Sequence, residues 1–136
     1  MKRLYAVDVV ERARVVATLA SALADESPVV FAVLHGSFAA AEAFHDVDVG
    51  IQLGTEQPGH LFGSHLAQRL SEQVGYPVDV RVLNGAPVSF LFHVLRGQVL
   101  VSRDDDLLGD LMQRTMQRYF DIAPLLRRSA REAFAS

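Results

Sequence analysis

Gly36 and Ser37 end an apolar run, and eight residues separate them from Asp46, with Asp48 close behind; Asp79 stands alone in a later apolar run. Side chains alternate along a strand, so Asp46 and Asp48 share one face of an extended segment while Val47 and Val49 share the other. In the later run Val78, Val80 and Val82 share one face, and Asp79, Arg81 and Leu83 the other. Valines on the opposite face imply a packed side, which leaves the carboxylates to a cleft or to solvent. If the two strands are neighbours, three carboxylates meet within a short distance and raise one another's pKa unless a cation neutralises them. Mg²⁺ suits such a set, because it takes oxygen ligands and shares them with substrate phosphates. Two metal ions held this way can stabilise both the attacking and the leaving oxygen in phosphoryl transfer. The Gly-Ser pair lies where a strand gives way to a helix. Free backbone N–H groups there favour an anion, and glycine lets a phosphate approach the backbone. The Ser37 hydroxyl adds one hydrogen bond. A triphosphate held there would sit near metal ions bound by Asp46 and Asp48.

Each of these residues also has a plainer reading. An Asp-x-Asp is common on exposed strands, and Ser37 alone could be a helix N-cap. The combination, with Asp79 on a third strand, is what points to chemistry. A second pair, Gly63-Ser64, falls inside a helical pattern with no Asp-x-Asp at suitable spacing after it, and is set aside. His35 precedes Gly36 and His45 abuts Asp46; both are read as structural or rim residues, with His35 placed to orient the loop. His60 and His65 miss the i, i+4 spacing of a helical metal pair and are expected on the surface. Asp104 to Asp106 are read as acids that cap a helix start. Arg114, Arg118, Arg127, Arg128 and Arg131 form a solvated face or a docking face for an acidic partner.

The elements that must position these residues follow from hydrophobic spacing. Residues 9–24 read as a helix, with Val9, Ala13, Val16, Ala17, Ala20 and Leu23 near helical spacing, stopped by Ser27 and Pro28. Residues 29–35 are almost wholly apolar and rich in β-branched side chains, which predicts a buried central strand. The alanine-rich stretch 37–44 favours two turns of helix. A second strand is expected over 46–53, then a loop over 54–59. A long helix follows over 60–74, with Leu61, Leu66, Leu70 and Val74 inward and Gly75 as its C-cap. Residues 76–84 read as a third strand, 88–96 as a short helix and 97–102 as a further strand. A C-terminal helix carries Leu108, Leu111, Met112, Met116, Tyr119 and Ile122 at helical spacing, and Pro124 should kink or divide it. The expected fold is α/β (α+β), a small mixed sheet flanked by helices. One domain spans 1–136, with a C-terminal helical segment from about 104 to 136.

Composition narrows the classes. Half of the 136 residues are hydrophobic, enough for a core. The absence of cysteine excludes disulfides and thiolate metal sites. The net charge of −3 excludes a general nucleic-acid binder, although residues 107–136 carry five arginines against three acids. There is no apolar run long enough to span a membrane, and charges interrupt the apolar N-terminal stretch, so neither a membrane span nor a secretory leader is expected. The chain is read as cytoplasmic.

Strand, Gly36-Ser37, a spacer, Asp46-x-Asp48 and a lone Asp79 on a later strand together resemble the DNA polymerase β-like nucleotidyltransferase superfamily. Size and order are most similar to its minimal nucleotidyltransferase (MNT) branch, many members of which are antitoxins beside HEPN-domain toxins. The stretch "VDVRVLNGAPVSFLFHVLRGQVLVSRDDD" resembles that branch as well. The resemblance implies that Gly36 and Ser37 hold phosphates, that Asp46 and Asp48 bind Mg²⁺, and that Asp79 completes the metal site or activates the attacking hydroxyl. It implies ATP as substrate, AMP moved to a tyrosine hydroxyl, a HEPN toxin as partner and a hetero-oligomer. The spacer is shorter than the family's, and Ala40 and Ala41 stand where an arginine and a glycine are usual. Arg81, on the same strand face as Asp79, is read either as the substitute cation for phosphate or as a partner that only pairs with the carboxylates. A rival expectation is a chain that keeps this fold and neutralises its partner by binding alone.

Overall fold

The computed structural model describes residues 3–54 and 58–135, so part of the loop expected over 54–59 lies outside the described residues. The elements are β1 (Tyr5–Ala6), α1 (Val9–Ala24), β2 (Val29–His35), α2 (Ser37–Ala40), β3 (Ala43–Phe44), β4 (Val47–Leu53), α3 (Phe62–Val74), β5 (Val78–Val82), α4 (Val88–Val94), β6 (Gln98–Ser102) and α5 (Asp105–Ala135). Four strands form a sheet in the order β5-β4-β2-β6. β4 and β5 run parallel, while β2 is antiparallel to both β4 and β6. A small second ladder pairs β1 with β3.

The sheet is packed on both faces. On one face, Val47, Val49 and Ile51 of β4 pack against Val15, Leu19 and Leu23 of α1 and Leu66 and Leu70 of α3. On the other, Phe31 and Val33 of β2 pack against Leu83, Leu91 and Val94, with Leu95 and Leu108 beyond. β2 is covered on both sides, which explains its unbroken apolar run. Asp8 starts α1 by accepting a hydrogen bond from the Glu11 N–H at 2.8 Å, satisfying one of the free donors of the first turn. Asp104 does the same for α5, accepting from the Leu107 N–H at 3.0 Å. The acids at 104–106 thus cap a helix. The end of β4 is tied by Asn84, whose amide accepts from the Leu53 N–H at 2.8 Å and donates to the Leu53 carbonyl at 3.0 Å.

Several expectations are corrected. The stripe of α1 that faces the core is Val15–Leu19–Leu23, and Val9 is exposed. Leu61 lies outside α3 and is exposed. The alanine-rich stretch makes one helical turn, Ser37–Ala40, and then an extended pair, Ala43–Phe44. Local helix propensity loses here to burial of an aromatic ring. Phe44 is 1% exposed, packed against Tyr5, Phe38 and Tyr76 with ring centroids 4.8–5.6 Å apart, and such contacts outweigh the few tenths of a kcal/mol per residue that alanine contributes. Pro124 does not divide α5, which runs through it as one helix. Met112 and Met116, expected at the core spacing of α5, are exposed, whereas Leu108 is buried.

Candidate functional site

The candidate site lies at the end of the sheet where β2 stops and β4 begins. Val47, Val49 and Ile51 turn to the α1/α3 side, so Asp48 takes the α4 side, as alternation requires. Register then aligns the charged residues. Asp48 pairs with Asp79 across the parallel β4–β5 ladder and with His35 across the antiparallel β2–β4 ladder. Asp46 immediately precedes β4 and, like Asp48, is half-buried. The Asp79 carboxylate remains 46% exposed and accepts a hydrogen bond from Arg81 Nε at 3.2 Å. The predicted pairing of Arg81 with a carboxylate is therefore present.

Gly36 lies in close contact with Asp48. Its φ is +77° and its ψ −161°, a combination that is essentially glycine's alone. A Cβ built there would lie 2.2 Å from Asp48 Oδ2. The Asp48 carboxylate thus occupies the space that any other residue at position 36 would fill. This contact seats the carboxylate against the turn that carries Ser37. Ser37 begins α2 and is exposed.

His35 is set into the wall beside them. Its ring meets Phe90 edge-on with centroids 5.9 Å apart, and its Nε2 is buried without a hydrogen-bond partner among the described residues. Burial lowers its pKa from the ordinary 6.5; nearby Asp79 opposes this and Arg81 adds to it. A histidine whose folded pKa is lowered stabilises the fold fully above its unfolded pKa. That stability is lost as pH falls below about 6.5 towards the folded value. Denaturant midpoints measured across this window should fall less steeply in His35→Leu than in the parent, and identical slopes would remove His35 from the acid sensitivity. His45, by contrast, turns away from the carboxylates, its Nδ1 2.9 Å from the Arg3 carbonyl oxygen.

The donor chemistry of Asp46, Asp48 and Asp79 fits a hard divalent cation. Among the described residues, however, no three His, Asp or Glu side chains are gathered closely enough to hold an ion by themselves. Mg²⁺ ordinarily takes one or two carboxylates, several waters and substrate phosphates, and that smaller demand is the one this arrangement fits. Gly63 and Ser64 lie within α3, and His60 and His65 are exposed. Two further residues face the Gly36 turn across a cleft: His93 at the end of α4 and Arg96 just beyond it. No motif singles them out. The only clue in the sequence is the glycine at 97 that follows them.

A parallel carboxylate pair beside a glycine turn, on a sheet of this order, defines a nucleotidyltransferase-type architecture. Residues 17–106 match the family model for polymerase beta nucleotidyltransferases, and the chain belongs to that family. No curated protein matches at significant similarity. Among solved structures, the chain is similar to the complex of a tri-AMPylated Shewanella oneidensis HEPN toxin with its MNT antitoxin, at 17% identity and a TM-score of 0.66, covering 91% of this chain and 95% of that one. It is also similar to a toxin–antitoxin structure with AMP-PNP, at 18% identity and a TM-score of 0.67, covering 88% and 94%. A MntA–HepT toxin–antitoxin structure aligns at 15% identity and a TM-score of 0.60, covering 94% and 96%. At these identities the likeness is one of fold. Among the described residues, no helix is long and apolar enough to cross a membrane.

Proposed function

We propose that this chain is an MNT antitoxin that transfers AMP from ATP to a tyrosine hydroxyl of a HEPN-domain toxin. The observation that carries the reading is the seating of Asp48 against Gly36, in register with Asp79, in a chain of the nucleotidyltransferase family. A tri-AMPylated HEPN toxin in one similar structure and AMP-PNP in another support the acceptor and the nucleotide. Asp46 and Asp48 would hold Mg²⁺, which would offset charge on the triphosphate and on the departing pyrophosphate. The tyrosine oxygen attacks the α-phosphorus, the bond to the bridging oxygen breaks, and pyrophosphate leaves. Asp79, whose side chain is 46% exposed, either completes the metal set or takes the hydroxyl proton. Gly36 and Ser37 hold the phosphates in line, so that much of the rate comes from orientation and electrostatic preorganisation.

A second reading rests on Ala39, Ala40 and Ala41, which leave the turn after Ser37 without a cation of its own. In it, the chain neutralises its partner by contact alone. Intact-mass measurement of a co-expressed toxin, incubated with the chain, ATP and Mg²⁺, separates the two. Addition of AMP to a tyrosine is expected. An unmodified toxin that is still neutralised by the Asp46→Ala chain would overturn the enzymatic reading in favour of the second.

A further inference from the structure

A cleft of about 410 Å³ opens beside the Gly36 turn. One wall is His35, Gly36, Ala39 and Ala40, and the other is His93, Arg96, Gly97 and Gln98. None of these eight residues is acidic. The cleft therefore carries one permanent positive charge and two imidazoles in a molecule whose net charge is −3. The small side chains of Ala39 and Ala40 leave its width open.

Arg96 is held in place. The Gly97 N–H bonds to the Val94 carbonyl at 2.9 Å and closes the turn after α4. A Cβ at position 97 would lie 2.1 Å from the Leu34 carbonyl oxygen, so only glycine lets this turn press against β2. Gln98, the next residue, is in register with Leu34. Arg96 is thereby fixed one strand from His35 and Gly36, and its guanidinium lies 5.3 Å from the centre of the Phe92 ring. The backbone is thus fixed at this point, and the exposed Arg96 side chain carries a planar guanidinium fork that is itself pre-organised for hydrogen bonding.

We propose that this cleft is the polyphosphate seat of the nucleotide, with Arg96 and His93 gripping phosphate from the wall opposite the Gly36–Ser37 turn. The proposal rests on the nucleotide reading of the site and deepens it. It assigns the cationic contact to the turn after α4, not to the loop after Ser37. A phosphate in the cleft borders Gly36, the residue against which the Asp48 carboxylate is seated. The anion is held between a cation and the residues that would carry Mg²⁺. Arginine favours phosphate here because its planar fork makes two parallel charge-assisted hydrogen bonds.

Equilibrium binding of three probes tests this: ATP with Mg²⁺, inorganic tripolyphosphate with Mg²⁺, and adenosine. Arg96→Gln should weaken ATP and tripolyphosphate about tenfold, the cost of one hydrogen bond to a charged group, and leave adenosine unchanged. Arg96→Lys should recover part of the loss. Ala40→Glu places a carboxylate on the other wall, at an exposed site, and should weaken the same two probes while leaving the unfolding midpoint unchanged. Parent-like affinity for ATP and tripolyphosphate in both Arg96→Gln and Ala40→Glu would overturn the proposal, as would an equal loss for adenosine. AMP transfer at an unchanged KM in Arg96→Gln would overturn it too while leaving the proposed activity standing. Arg96-dependent tripolyphosphate binding without any AMP transfer would do the reverse.

Discussion

Gly36→Ala should lose AMP transfer by on the order of a hundredfold or more and lower folding stability by about 1–3 kcal/mol. Two costs combine. The backbone at φ +77° and ψ −161° is strained for alanine. The new methyl would also meet Asp48 Oδ2 at 2.2 Å, so the carboxylate must leave its seat, and a misplacement of about 1 Å can cost a hundredfold in rate. The two costs separate in a double-mutant cycle. Asp48→Ala removes the obstructing atoms, so Gly36→Ala should cost less stability in that background by the amount of the clash, while the backbone strain remains. Denaturant unfolding and mass-detected transfer, measured side by side, check both parts. Full activity in Gly36→Ala would mean that Asp48 does its work from another position.

Asp48→Asn should cost on the order of a hundred- to a thousandfold in transfer without loss of fold. The amide has the carboxylate's shape and keeps its packing against Gly36. In the parent, Asp48 and Asp79 are directly paired across parallel strands, where like charges disfavour one another. In the absence of divalent cation, Asp48→Asn should unfold, like the parent, in a single cooperative transition. Addition of Mg²⁺ and ATP should raise the parent's melting temperature, since a ligand that binds only the native state stabilises it, and should raise that of the variant far less. An equal rise in both proteins would show that nucleotide binds without Asp48, and would move the metal role to Asp46 and Asp79.

The face on which these aspartates lie was legible in the sequence because a strand's period is two and Val47, Val49 and Ile51 are all fully buried on the far side. α1 was legible for a different reason: apolar residues recur near helical spacing from Val9, and Ser27-Pro28 stop the pattern. Its buried stripe was not. Valines and alanines surround that helix, and the packing of β6, α3 and β2 decides which of them are covered. The one-turn α2 was hidden because Phe44 is held by Tyr5 and Tyr76, both distant in sequence, and the Tyr5–Ala6 strand has no signal apart from that pairing. Asp46, Asp48 and Asp79 could be named from spacing. That Asp48 fills the place of a missing Cβ at Gly36, and that Arg96 faces the same turn, are products of register between β2, β4 and β6, which no local pattern encodes.

The far half of α5 has a thermodynamic consequence of its own. Among the described side chains of the helix Ala123 is the last that is buried, and every one from Pro124 to Ala133 is exposed. Pro124 also withdraws one backbone donor. This last stretch therefore draws its helicity from local propensity and the Arg128–Glu132 pair at 3.1 Å, and an isolated helix so short is marginal in water. A macromolecule that covered Leu125, Leu126 and the neighbouring arginines would have to supply the free energy of holding this stretch helical. The affinity measured would be the contact energy less this ordering cost, and a peptide copy of the segment would bind more weakly than the same residues carried on the folded chain.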